Sequence, residues 1–262
     1  MRRKITTKII QSIGTATLIF CLSACDKKAN EEKIIDVEKE FNVQMWEKLD
    51  VYGGSLQFVV STIKNQPCGN TRIEMNSNQI DSKLTITIKS LIQPALCNNV
   101  SQSAVDTLTV GNLSTGSYNI NINLKDVVLN NGILTVKDNT YKLYLNKQDG
   151  ISLITPELLR VPSGTIWGYV SFDTGQDAKL LKFFDNLNKL ATPITIPSGN
   201  YGYFNISSTK VDIKANFDTK KQNIRQIFHN LTKSTLDLEN LVNEYRSQGL
   251  DIKMLTYDGK VF

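Results

Sequence analysis

The sequence predicts an α+β protein in two parts, an antiparallel β-sandwich followed by a layered α+β sandwich. Three observations carry this. Strict apolar–polar alternation recurs from Gly53 to about Gln148, the period of half-buried strands. Apolar residues at spacings of three and four begin only beyond the breaker Val161-Pro162-Ser163-Gly164. The composition, 40% hydrophobic and 21% charged with 15 Gly and 6 Pro, belongs to a folded chain and excludes a collagen-like or wholly disordered one. At about 100–200 residues per domain, 262 residues make one large or two small domains.

The chain opens Met1-Arg2-Arg3-Lys4, with Lys8 following, and then runs through an interrupted apolar stretch from Ile9 to Leu22. A basic n-region and a short h-region of this kind make an export signal, too short and too broken for a comfortable transmembrane span. The stretch ends in Leu22-Ser23-Ala24-Cys25, which resembles the lipobox of bacterial lipoproteins. That resemblance implies residues 1–24 as a signal peptide and Cys25 as a lipidated mature N-terminus. It places the protein in the bacterial cell envelope, held to a membrane by its acyl chains. The polar segment 25–33 reads as a flexible tether. Removing residues 1–24 takes four of the 30 basic residues and none of the 25 acids, leaving 26 against 25 and a net charge of +1. The basic balance therefore belongs to the export signal, and no nucleic-acid partner is expected.

Cys21 lies in the discarded segment, so Cys68 and Cys97 are the countable pair in an oxidising compartment, and a disulfide between them is expected. A thiolate metal site lacks ligands, since no CxxC occurs and the chain has one His. No metal and no cofactor are expected.

Residues 34–150 form the expected sandwich. Between Ile34 and Leu49 the apolar residues recur at helix-like spacing, which predicts a short helix or irregular segment. Strand candidates follow at Leu56–Ile63, Leu84–Ile88, Val105–Val110, Tyr118–Leu124, Ile133–Val136 and Tyr141–Leu145. Asn131-Gly132 between two apolar runs predicts a hairpin turn. Leu113-Ser114-Thr115-Gly116-Ser117-Tyr118-Asn119-Ile120 resembles the L-x-x-G-x-Y-x-[IV] start of a late strand in immunoglobulin-like and transthyretin-like sandwich modules. The resemblance implies architecture and no activity.

Residues 151–164, with Pro156 and Pro162, read as a linker, and 165–262 as the α+β domain. Thr165–Phe172 reads as a strand and Asp177–Ala191 as a helix. Tyr201–Ile206 and Val211–Phe217 read as a strand pair. Asn223–Leu231 reads as a further helix that leaves His229 at its edge. Ser234 caps the next helix, with Asp237 at the N3 position, and Gly249 stands where the helix ends. Ile252–Tyr257 is the last strand. The order β-α-β-β-α-β predicts a ferredoxin-like α+β sandwich. The motif Pro162-Ser163-Gly164 leading to Gly168-Tyr169 is echoed by Pro197-Ser198-Gly199 leading to Gly202-Tyr203. The second copy faintly resembles a strand of the effector-binding domains of the GyrI type, without their acidic pocket signature.

No Ser elbow, phosphate-binding loop or dinucleotide fingerprint occurs. The expected function is non-catalytic binding of a carbohydrate or protein partner by a lipid-anchored envelope protein. The alternatives are a carboxylate-dependent hydrolase, for which Asp173 and Asp177 are the pair to examine, and a structural component of an envelope assembly or secretion machine. Strand alternation puts Trp167 and Tyr169 on one face of their strand, and Tyr201 and Tyr203 on one face of theirs. Facing away from the helices, these four rings predict either an open aromatic binding platform, with room for close approach left by the glycines beside the tyrosines, or a core packed against the β-rich part of the chain.

Overall fold

The computed structural model describes residues 37–208, 210–214, 221 and 223–262. The expected signal peptide, the lipid-bearing Cys25 and the tether lie outside the described residues. The first part of the chain carries ten strands: β1 (Phe41–Lys48), β2 (Ser55–Thr62), β3 (Arg72–Ile80), β4 (Lys83–Ile92), β5 (Val105–Gly111), β6 (Gly116–Leu124), β7 (Val128–Lys137), β8 (Thr140–Leu145), β9 (Ile151–Thr155) and β10 (Glu157–Leu159). They assemble into two sheets, ordered β5-β2-β1-β9 and β10-β8-β7-β6-β4-β3. One continuous core joins them, from Phe41, Val43 and Met45 of β1 to Leu84, Ile86 and Ile88 of β4 and Ile120 and Ile122 of β6. The protein is β-rich.

Four expectations are corrected in this part. The helix expected between Ile34 and Leu49 is replaced by β1, where Phe41, Val43, Met45 and Glu47 are buried at every second position. Helix-like spacing there was an accident of Phe41, Met45 and Leu49. The sheets are not purely antiparallel: β1 runs parallel to β9 and β4 parallel to β6. The expected linker 151–164 carries β9, paired to β1, and β10, paired to β8. Asn131-Gly132 is not a turn but lies inside β7, with Gly132 opposite Leu145. The hairpin bends instead at Lys125 and Asp126, both at φ 53°, as a turn of positive φ requires. Gly132 has its own reason to be glycine, because a Cβ there would stand 1.9 Å from the carbonyl oxygen of Tyr144. Cys68 and Cys97 are bonded, with Cα atoms 5.1 Å apart, within the usual range.

The second part runs β11 (Thr165–Phe172), α1 (Asp177–Leu190), β12 (Ala191–Pro193), β13 (Gly199–Asn200), β14 (Phe204–Ile206), β15 (Val211–Ile213), β16 (Asn223–Leu231), α2 (Thr235–Ser247) and β17 (Asp251–Thr256). A four-stranded sheet has the order β12-β16-β11-β17, all pairs antiparallel. Both helices pack on one face of it, burying Leu180, Phe183 and Leu187 with Leu238, Val242 and Tyr245 against Ile166, Val170 and Ile252. Ser234 and Asp237 make the expected capping box of α2.

Two expectations change here. Asn223–Leu231 is a strand, not a helix, because it fills the gap between β11 and β12. The pair expected at Tyr201–Ile206 and Val211–Phe217 is represented by β14 and β15, which join β13 in a separate three-stranded sheet; residues 215–217 lie outside the described residues. That small sheet lies on the helix-free face of the four-stranded one, where Phe204 and Ile213 pack with Trp167, Phe228 and Leu255.

Gly132→Ala is expected to destabilise the protein by about 3 kcal/mol, because the clash is with backbone that cannot swing away. Urea unfolding of the variant, with the Cys68–Cys97 bond intact, measures it.

Candidate functional site

The four aromatic residues singled out in the sequence come together, but they do so inside the protein. Trp167 and Tyr201 are 0% and 2% exposed, and Tyr169 and Tyr203 are half-buried. Tyr203 stands between Trp167, 5.5 Å away between ring centres, and Trp46 of β1, 4.8 Å away. Phe204 packs on Trp167 at 5.2 Å and on Tyr201 at 4.9 Å. The phenols serve local structure: Tyr201 donates to the carbonyl of Pro197 at 2.9 Å, and Tyr203 Oη accepts from the amide of Leu49 at 3.5 Å. Burial pushes the Tyr201 and Tyr203 hydroxyls to higher pKa. The space beside Gly202 is taken by the Trp46 ring, 3.4 Å from where a Cβ would be. The open platform does not form; as the packed-core alternative expects, the rings make an aromatic seam between the first and second parts of the chain.

A buried charge adjoins the seam. Glu47, next to Trp46 on β1, is 2% exposed. Its Oε1 accepts from Arg160 Nε at 2.8 Å and from Tyr141 Oη at 3.1 Å. Burial first, and then the Glu47 charge, push the Tyr141 hydroxyl upward in pKa. This trio is a structural clasp, since both groups on the carboxylate come from the protein itself.

The other sequence candidates have structural employment. Asp173 is exposed and paired with Lys221 at 3.3 Å. Asp177 is exposed in the first turn of α1, where an acid complements the helix N-terminus. His229, expected on a helix edge, is instead buried on β16 with Nδ1 unpartnered within the protein. Burial holds its pKa below the ordinary 6.5. Among the described residues, no group of three His, Cys, Asp or Glu could hold a metal ion.

The surface with the arrangement of a site is the outer face of the six-stranded sheet. Its inward residues alternate with outward ones, and register aligns the latter across strands. One row reads Asn76, Thr87, Asn123 and Leu129 across β3, β4, β6 and β7. The next reads Asn78, Thr85, Asn121 and Asn131 across the same strands. Seven of these eight positions are Asn or Thr, and none is charged. Among the described residues, none of the seven side chains hydrogen-bonds elsewhere in the chain. A third row, Ile80, Lys83, Asn119, Ile133 and Tyr144, ends in an aromatic ring that is 66% exposed. Beside that ring lies an apolar groove of about 510 Å³, lined by Ile133, Thr135, Lys142, Tyr144, Pro156 and Glu157.

The sequence carries part of this signal. Asn119, Asn121 and Asn123 alternate with Ile120 and Ile122, and Thr85 and Thr87 with Ile86. Asn is a poor strand residue, so three at successive outward positions of one strand run against local preference. Which strands stand side by side is not written there. No protein family, curated protein or solved structure matches the chain.

Two outcomes follow for the groups described. Arg160→Met is expected to cost about 3–5 kcal/mol by leaving Glu47 buried and unpaired. Adding Glu47→Gln, which still accepts from Tyr141, should recover much of that loss in urea unfolding. For His229, the unfolded imidazole takes a proton below pH 6.5 while the native one resists. Stability is therefore full above pH 6.5 and falls as pH drops. His229→Gln should show a smaller loss than the parent between pH 7.5 and 5.

Proposed function

We propose that this chain is a lipid-anchored, non-catalytic protein of the bacterial cell envelope that holds a ligand on the outer face of its six-stranded sheet. Anchoring rests on Leu22-Ser23-Ala24-Cys25 behind the basic n-region, with residues 25–33 as the tether. Binding rests on one observation, the two rows of uncharged amides and hydroxyls without partners among the described residues. A ligand that returns hydrogen bonds to all of them is favoured over one that leaves some desolvated and unpaired, and this gives such a face its selectivity.

The finer fold reading accompanies this. The sandwich is immunoglobulin-like in one respect: Tyr118 donates to the carbonyl of Ser114 at 2.9 Å, the hydrogen bond of a tyrosine corner. The second part is ferredoxin-like, supported by α1 linking β11 to β12 with β16 between them, and by α2 linking β16 to β17 with β11 between them.

Thr85→Glu sets a charge at the centre of the face on an outward side chain. It is expected to reduce recovery of ligand from an envelope extract by about tenfold or more, with the melting temperature little changed. Equal recovery by the two proteins counts against the face. Independently, Cys25→Ser should move the protein from the membrane fraction to the soluble one.

A further inference from the structure

We infer that the ligand of this face is a neutral polysaccharide, laid across the strands with one sugar ring on Tyr144; the inference rests on the binding reading above. Charge complementarity chooses the class. The two central rows carry no charge, and the ions around them are largely compensated: Lys142 pairs with Glu157 at 3.2 Å and Lys89 with Glu74 at 3.4 Å. A nucleic acid or acidic polymer needs a surplus of cations in its path. Here Lys83 alone stands in the third row, toward its β3 end. A protein partner needs an apolar centre, and the two central rows offer Leu129 only.

The chemistry of the rows fits sugar hydroxyls. A hydroxyl both donates and accepts, and so does each Asn amide and Thr hydroxyl on the face. Either orientation of a sugar hydroxyl therefore finds a partner, without the desolvation of an ion. The apolar faces of pyranose rings need a flat surface, which the exposed ring of Tyr144 provides beside Ile133 and Pro156 in the groove. The dimensions agree with a chain rather than a single sugar. From β3 to β8 the sheet takes four steps of about 4.8 Å, a span of roughly 19 Å, which is the length of a short oligosaccharide.

The test uses the full-length lipidated protein in detergent, retained on beads. The probes are an envelope polysaccharide fraction freed of protein by protease, the same fraction after periodate oxidation, and an envelope protein fraction. The parent is expected to bind the first, to lose it after periodate, and to hold it equally from 0.05 to 1 M salt. Tyr144→Ala should weaken binding about tenfold and Tyr144→Trp should preserve it, while Asn121→Ala weakens it with folding intact. Binding that survives periodate, or that fades with salt, overturns the inference. If the polysaccharide is not bound but Thr85→Glu still abolishes capture from the protein fraction, the glycan assignment falls and the binding face stands. If Thr85→Glu changes no capture at all, both fall.

Discussion

The carboxylate of Glu47 is the constraint around which the two parts of the chain are arranged. A charge this deeply buried is tolerable only when its partners arrive in good geometry. Its partners are Tyr141 from β8 and Arg160 from just beyond β10, so β1, β8 and the segment leading to β11 must converge at one point. The residue before it, Trp46, then meets Tyr203, and through it Trp167 on β11. Polar pairing and aromatic packing thus act at adjacent positions of one strand. The polar pair fixes where the chain crosses over, and the rings exclude water from the crossing.

What the sequence made legible was local. Alternation located β2, β4, β6 and β8, and capping chemistry located both ends of α2, because those signals are complete within a few residues. Features that depend on a distant partner were illegible. Asn131-Gly132 has the chemistry of a turn, yet the backbone of β8 approaches so closely that only glycine fits within β7. Trp167 and Tyr169 do face away from the helices as alternation requires, while Tyr201 and Tyr203 lie in the bend between β13 and β14 rather than on a strand. What covers them, a three-stranded sheet and the end of β1, has no local sign. The polar face is intermediate. Asn119, Asn121 and Asn123 are visible in one strand, but their alignment with Thr85 and Thr87 needs the parallel pairing of β4 with β6, a relation no turn residue encodes.

The six-stranded sheet is a compromise between its two faces. Inside, Ile120, Ile122 and Leu124 are almost fully buried. Outside, the same strand spends its remaining positions on Asn, which favours turns over strands. Conflict between local preference and the fold is common where function imposes a demand of its own. Here the strongly apolar inner positions compensate, since burial outweighs the modest propensity cost of three asparagines.

The parallel pairing of β1 with β9 sets an order of events in time. Phe41 finds Ile151, and Glu47 finds Arg160, 113 residues downstream. A chain released from its N-terminus first therefore exposes an open edge on β1 and an unsatisfied acid until the segment beyond Gly150 has emerged. Contacts of such wide sequence separation are slow to form, and unpaired strand edges invite association with other chains in the interval. The two sheets of the first part are complete only when β9 and β10 have joined them. Their completion depends on the arrival of the very residues that lead into the helical part, which ties the maturation of both parts to a single late step.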